Sequence, residues 1–270
     1  MNTLNTIVAH KIKEVKERKD LYPTQLLERT IYFNTQTISL SKYVVREDKC
    51  GIIAEIKKQS PSLGIINKYA NVEKISIGYM QAGASALSVL TDELFFGGSS
   101  NDLTTARKFN FCPILRKDFI VDEYQIIESK SIGADAILLI AAILSKEQIK
   151  QYTEVAHSLG LEVLLELHDK NELDKVDAKV NVIGINNRNL QTMKIDIEQS
   201  ILMSNLLPKE AVKVSESGIE TIETILKLKA HGFQGFLIGS QFMKHPQPDL
   251  ACKEFIKELK SQELKSQTNA

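Results

Sequence analysis

Short, nearly continuous apolar runs recur along the chain, separated by longer segments in which apolar residues return every three or four positions. The runs fall at about 51–57, 85–90, 113–117, 135–140, 162–167, 181–187, 211–215 and 235–239 and read as β-strands. They are rich in Val, Ile and Leu and alternate poorly. Strands of that kind are buried on both faces, as in a parallel sheet sheathed by helices. Successive runs lie roughly 20 to 33 residues apart, enough for right-handed βαβ crossovers. Three stretches repeat one pattern: AGASALSVL (Ala82–Leu90), IGADAILLI (Ile132–Ile140) and HGFQGFLIG (His231–Gly239), with LGLEVLLEL (Leu159–Leu167) a looser copy. In each a helix stops at glycine and a buried strand follows.

Eight βα units in about 200 residues predict an α/β fold, a TIM (β/α)8 barrel. A doubly wound open sheet is the competing arrangement, and the lack of a GxGxxG after the first run counts against it. Ahead of the barrel, Leu4, Ile7, Val8, Ile12 and Val15 share one helical face. Residues 1–48 are therefore expected to form an N-terminal helical extension packed on the barrel, as a stabilising lid or plug. The barrel is placed at 49–260, and the polar tail, 261–270, is expected to fray.

Charge enters where the apolar pattern breaks. Burying a carboxylate or an ammonium is costly unless it is paired or put to use, and TIM-barrel active sites lie at the C-terminal ends of the strands. Glu55 and Lys57 end the first run, Lys117 the third and Glu166 the fifth; Asn186 and Arg188 follow the sixth, and Ser215 and Ser217 the seventh. Residues two apart on a strand share a face, so Glu55 and Lys57 point the same way, into the barrel mouth or outward under the helices. A structural ion pair explains any one of these residues; their coincidence on five strands points to acid/base chemistry. In such a cluster a lysine pKa is either lowered by desolvation and repulsion or held up by carboxylates.

SESGIET (Ser215–Thr221) and LIGSQFM (Leu237–Met243) put small residues between a strand and a helix at strands 7 and 8, the common phosphate site of this fold. Ser217, Gly218, Gly239 and Ser240 are the candidates. Phe95, Phe96 and Phe119 either line an aromatic pocket or pack over loops, and His168, open to a role as general base, reads rather as a solvated loop residue. The histidines show no metal-ligand spacing.

The rest of the composition excludes classes of function. With 34 basic and 34 acidic residues the formal charge is zero, so neither a nucleic-acid footprint nor electrostatic attachment to a membrane is expected. Cys50, Cys112 and Cys252 are isolated, which fits a reducing cytosol, and Cys112 reads as core. No signal region opens the chain, and the longest apolar run, AILLIAAIL, is about half a membrane span. A cytoplasmic protein is expected.

Several segments, in order, resemble the indole-3-glycerol phosphate synthase family of tryptophan biosynthesis: IAEIKKQSPSLG, LSVLTDELFFGGS, PILRKDFIVDEYQI, ADAILLIAAIL, VLLELHD, IGINNRNLQT, VSESGI and FLIGSQFM. The resemblance implies a TIM barrel with an added N-terminal helical segment and a carbon–carbon (carboxy-) lyase without cofactor or metal. Its substrate would be 1-(2-carboxyphenylamino)-1-deoxyribulose 5-phosphate, closed to indole-3-glycerol phosphate with loss of carbon dioxide and water. Lys117 would act as general acid at the ribulose carbonyl and Glu166 as general base in dehydration. Lys57 would contact the substrate carboxylate or donate a proton, while Glu55, Asn186 and Arg188 would hold hydroxyls and orient the lysines. Ser60, Ser217, Gly218, Gly239 and Ser240 would hold the phosphate, and Phe96, Phe119 and Leu139 the anthranilate ring.

Leu63 stands where the family often has lysine, and Asn189 where aspartate is usual. Some relatives are fused to phosphoribosylanthranilate isomerase, but no second barrel is expected here. A monomer is expected, with a phosphorylated small molecule as partner and neither nucleic acid nor membrane. Another phosphate-binding TIM barrel, a sugar-phosphate isomerase or epimerase, would share the strand 7 and 8 loops without needing Lys57, Lys117 and Glu166 together. A catalytically silent metabolite-binding barrel would lack the acid/base residues.

Overall fold

Every apolar run becomes a strand within one residue of its expected ends. In the computed structural model, which describes residues 3–189 and 192–268, the strands are β1 (Ile52–Ile56), β2 (Ala86–Leu90), β3 (Ile114–Lys117), β4 (Ala136–Ile140), β5 (Glu162–Leu167), β6 (Val182–Asn186), β7 (Val212–Glu216) and β8 (Gly235–Ile238). All pair in parallel with their sequence neighbours, and β1 closes on β8 through Ile53 opposite Leu237. The result is a closed eight-stranded TIM barrel. Leu190 and Gln191 of the IGINNRNLQT segment, and residues 1, 2, 269 and 270, lie outside the described residues.

The glycines of the repeat end helices as expected. Gly83, at φ +100°, caps the helix Val72–Ala82, and Gly133, Gly160 and Gly232 also take left-handed φ just ahead of a strand. At the other end of the crossover helices Asn71, Ser99, Ser145 and Thr221 accept a hydrogen bond from the amide three residues on, satisfying an N–H the helix leaves open.

Alternation along the strands divides the core in two. Ile53, Leu115, Leu138, Leu164, Val214 and Leu237 fill the barrel, whereas Ile52, Leu87, Ile137, Leu165 and Phe236 pack outward under the helices. The weak alternation in the sequence has this cause, since both faces are dry.

The N-terminal segment covers both ends of the barrel. Helix α1 (Thr3–Leu21) lies at the mouth and α2 (Thr24–Leu27) follows it, while α3 (Leu40–Val44) closes the opposite end. Leu40 and Val44 are buried in the inner core, and the carboxylate of Glu162, at the start of β5, accepts Ser39 Oγ at 2.5 Å and Ser41 N at 2.7 Å. One expectation for α1 needs correction. Its buried face is Ile7, Lys11 and Val15, and Ile12 is 56% exposed. A lysine occupies the position where an apolar residue was expected, because acidic partners on the barrel neutralise it. The terminal helix Pro248–Thr268 also runs through most of the segment assigned to a tail.

Leu40 is fully buried at the end of the barrel away from the polar strand ends. Leu40→Ala should therefore cost about 3 kcal/mol of stability, read as a lower urea midpoint, with catalytic constants of the folded protein unchanged.

Candidate active site

The strand parity that fills the barrel with apolar side chains brings charged ones to its top layer. Glu55 follows Ile53 on the inward face of β1, Lys117 follows Leu115 on β3, Glu166 follows Leu164 on β5, and Glu216 follows Val214 on β7. These groups line a cavity of about 400 Å³ at the C-terminal ends of the strands. Lys57 joins them at its rim, 2.7 Å from Glu55 Oε1. Glu55 and Lys57 thus point into the mouth.

Lys117 is the hub. Its Nζ lies 2.9 Å from Glu166 Oε2 and 2.5 Å from Glu216 Oε2. Burial works to neutralise this lysine, but Glu166, Glu216 and Glu55 outweigh it and raise its pKa, so the ammonium form is held up rather than lost. For Glu166, burial opposes ionisation, yet Lys117 and then His168 hold its carboxyl well below the ordinary range. For Glu216, burial pushes the carboxyl up to about 8, with Glu166 adding to the rise against the pull of Lys117. One ammonium cannot neutralise two buried carboxylates, and Glu216 is the one that keeps its proton.

His168 differs from its reading as a solvated residue. It is buried against the cavity with Nε2 3.0 Å from Glu166 Oε1, because it sits two residues beyond Glu166 on the same face. Glu216 is likewise absent from the sequence expectations, which take Ser215, Ser217 and Gly218 from VSESGI. The alternation that selects Glu55 also selects Glu216, and turns Ser215 away from the cavity, toward Asn187 Nδ2 at 3.0 Å.

Two glycines make room for this layer. A Cβ on Gly239 of the β8 loop would lie 2.3 Å from Glu55 Oε1, and one on Gly184 of β6 would lie 2.3 Å from Glu216 Oε1. Neither position tolerates a side chain while the glutamate stays where it is.

The remaining expected residues divide clearly. Asn186 and Arg188 line the cavity, and Asn186 Oδ1 accepts the Arg188 amide at 3.0 Å. Ser60, Ser217, Gly218, Gly239 and Ser240 gather on one side of it, with Lys244 as a cation the sequence reading did not include. Ser217 and Gly218 both take φ of +70°, the left-handed region that glycine enters freely and serine rarely. Phe96 and Phe119 line the wall with ring centroids 5.9 Å apart, whereas Phe95 packs against His10 of α1. Leu139 is a correction: it faces outward in the helix-covered core, and its neighbours Leu138 and Ile140 face the cavity. Strand parity excludes Leu139 from any ring contact. Half-exposed Leu63 and Ile195 complete an apolar rim, with Leu4 and Ile7 of α1 above. Cys112 is core, as expected. Among the described residues no group of three His, Cys, Asp or Glu side chains is placed to hold a metal ion.

Comparison with known proteins agrees with this geometry. The family model described as indole-3-glycerol phosphate synthase matches residues 4–255. A protein of that name from Bacteroides thetaiotaomicron is 48% identical over 254 residues, covering 94% of this chain and 97% of its own length. Another from Caldanaerobacter subterraneus is 42% identical, covering 95% and 98%. Among solved structures, one of the tryptophan synthase α2β2 complex from Pyrococcus furiosus superposes with a TM-score of 0.56 at 14% identity, covering 79% of this chain and 99% of that one. Thiamine phosphate pyrophosphorylase from the same organism gives 0.57 at 14%, covering 79% and 97%. At such identities the structural likeness concerns the barrel alone, whereas the sequence matches extend through the N-terminal helix and every strand of the mouth: the chain belongs to the indole-3-glycerol phosphate synthase family.

Proposed function

We propose that Lys117, held between Glu166 and Glu216, carries out the family's ring closure in this chain. The reaction converts 1-(2-carboxyphenylamino)-1-deoxyribulose 5-phosphate to indole-3-glycerol phosphate, carbon dioxide and water, the work of a carboxy-lyase in tryptophan biosynthesis. A cation fixed in a dry cavity stabilises negative charge developing on a carbonyl oxygen far better than water does. Lys117 fills that role at the ribulose carbonyl, donating to the oxygen as the anthranilate ring carbon attacks. Loss of carbon dioxide then restores the aromatic ring, and loss of the hydroxyl as water completes the indole.

The carboxyl groups divide the proton transfers. Glu166, ionised, is the base that removes a proton during dehydration. Glu216, protonated near neutrality, supplies the proton that Lys117 passes to the departing oxygen. Lys57, paired with Glu55 at the rim, meets the substrate carboxylate until it leaves as carbon dioxide. The turn at Ser217 and Gly218, with Ser60, Gly239 and Ser240, holds the phosphate, and Lys244 adds charge there. Phe96 and Phe119 pack against the ring from one wall of the cavity, joined by Leu138 and Ile140.

The proposal includes a monomer in the cytoplasm. In support of the cytoplasm, the three cysteines are free and buried, which fits a reducing compartment.

The observation that carries these roles is the Lys117 ammonium within reach of both buried glutamates. Purified protein given the substrate should raise indole absorbance, and Lys117→Ala should lower kcat by about 100- to 1,000-fold or more. A folded wild type without turnover would overturn the assignment. Glu216 provides a second test. Since its carboxyl is protonated up to about 8, kcat/KM should fall as pH rises through that range, and Glu216→Gln should lack this limb. Stability shifts in the same direction. The folded state holds a proton that the unfolded glutamate releases near 4.5, so stability contributed by this group declines as pH rises from there toward 8, and Glu216→Gln should flatten that decline in Tm.

A further inference from the structure

Lys11 of α1 is 1% exposed, lies outside the cavity lining, and has no part in the roles above. Its Nζ meets Asp92 Oδ2 at 2.9 Å, Glu14 Oε2 at 2.9 Å and Asp118 Oδ1 at 3.1 Å. Both aspartates hold loops of the mouth. Asp92 Oδ1 accepts the amides of Phe95 at 2.8 Å and Phe96 at 3.2 Å, and Asp118 Oδ1 accepts the amide of Phe119 at 2.8 Å. One ammonium therefore stands behind the two loops whose aromatic rings face each other across the cavity wall, and Asp118 directly follows Lys117.

The charges continue past this point and return to the same helix. Asp118 Oδ2 accepts Thr91 Oγ1 at 2.6 Å and Arg116 Nη2 at 3.1 Å, and Arg116 reaches Glu128 Oε2 at 2.7 Å. Glu128 Oε1 in turn accepts Arg18 Nε at 2.7 Å. The network leaves α1 at Lys11 and rejoins it at Arg18, about two turns further along. Arg18 anchors the helix but bonds neither phenylalanine loop.

We propose that Lys11 is a positioning residue for the aromatic wall: by neutralising Asp92 and Asp118 together it locks the loops after β2 and β3, so that Phe96 and Phe119, packed against each other, present a fixed surface to the substrate's aromatic ring. The inference rests on the synthase reading of the cavity. Without the ammonium two buried aspartates lose their shared cation, and the loops must part or admit water. A wall that holds the ring equally in substrate and transition state contributes to KM rather than kcat.

Steady-state kinetics of wild type, Lys11→Met, Lys11→Arg and Arg18→Gln, each confirmed folded by circular dichroism, test this. Lys11→Met should raise KM about tenfold while kcat stays within about threefold, and Lys11→Arg should recover most of the loss. Arg18→Gln should lower Tm and leave KM unchanged. An unaltered KM in Lys11→Met, or an equal rise in Arg18→Gln, would reduce Lys11 to a structural tie and overturn the inference. Should Lys11→Met not fold, the double variant Lys11→Met, Asp92→Asn, which removes one charge of each sign, is read by the same criterion: a raised KM supports the clamp and an unaltered one overturns it. Wild type without turnover would sink the synthase reading and the clamp with it, whereas turnover in wild type with unaltered Lys11→Met sinks the clamp alone.

Discussion

A charge can sit deep in a barrel only if the fold supplies its counter-charge from a fixed direction. Lys117 receives two, from Glu166 and Glu216 on strands β5 and β7, and the barrel's closure fixes both directions. None of the three is placed by a loop. Their positions follow from the strand register, so the site is as rigid as the sheet that carries it. The imbalance of two carboxyls against one ammonium shows in Glu216, whose carboxyl burial pushes up to about 8.

The N-terminal segment divides its work between the two ends of the barrel. At the bottom α3 completes the apolar interior with Leu40 and Val44 and is tied to the Glu162 carboxylate through Ser39 and Ser41. At the top α1 brings apolar Ile7 to the cavity and charged Lys11 to the loops beside it. The same stretch of chain thus combines apolar burial with a directed charge at each end, the charge lying on the barrel at the bottom and on the helix at the top.

The strands were legible because burial on both faces leaves a run of apolar residues that nothing else in the chain imitates, and the helix stops because glycine carries the left-handed turn. Glu55, Lys57, Lys117, Glu166, Asn186 and Arg188 were legible as polar breaks at strand ends, and all six line the cavity. Leu139 was not, because a continuous apolar run hides its parity: nothing in AILLI says which leucine faces in until a neighbouring strand fixes the register. His168 and Lys11 escaped for a different reason. Lys11 is buried by partners distant in sequence, Asp92 and Asp118, and His168 lies just past the apolar run whose parity turns it inward, so single-sequence periodicity assigns both to solvent.

Gly184 and Gly239 carry this point into inheritance. Each is an empty volume kept open for a glutamate on an adjoining strand, so the acidic groups of this site are written in two places: once as a side chain and once as the lack of one. A lineage that filled either space with even a methyl group would push the carboxyl from its place, with every glutamate of the sequence still present.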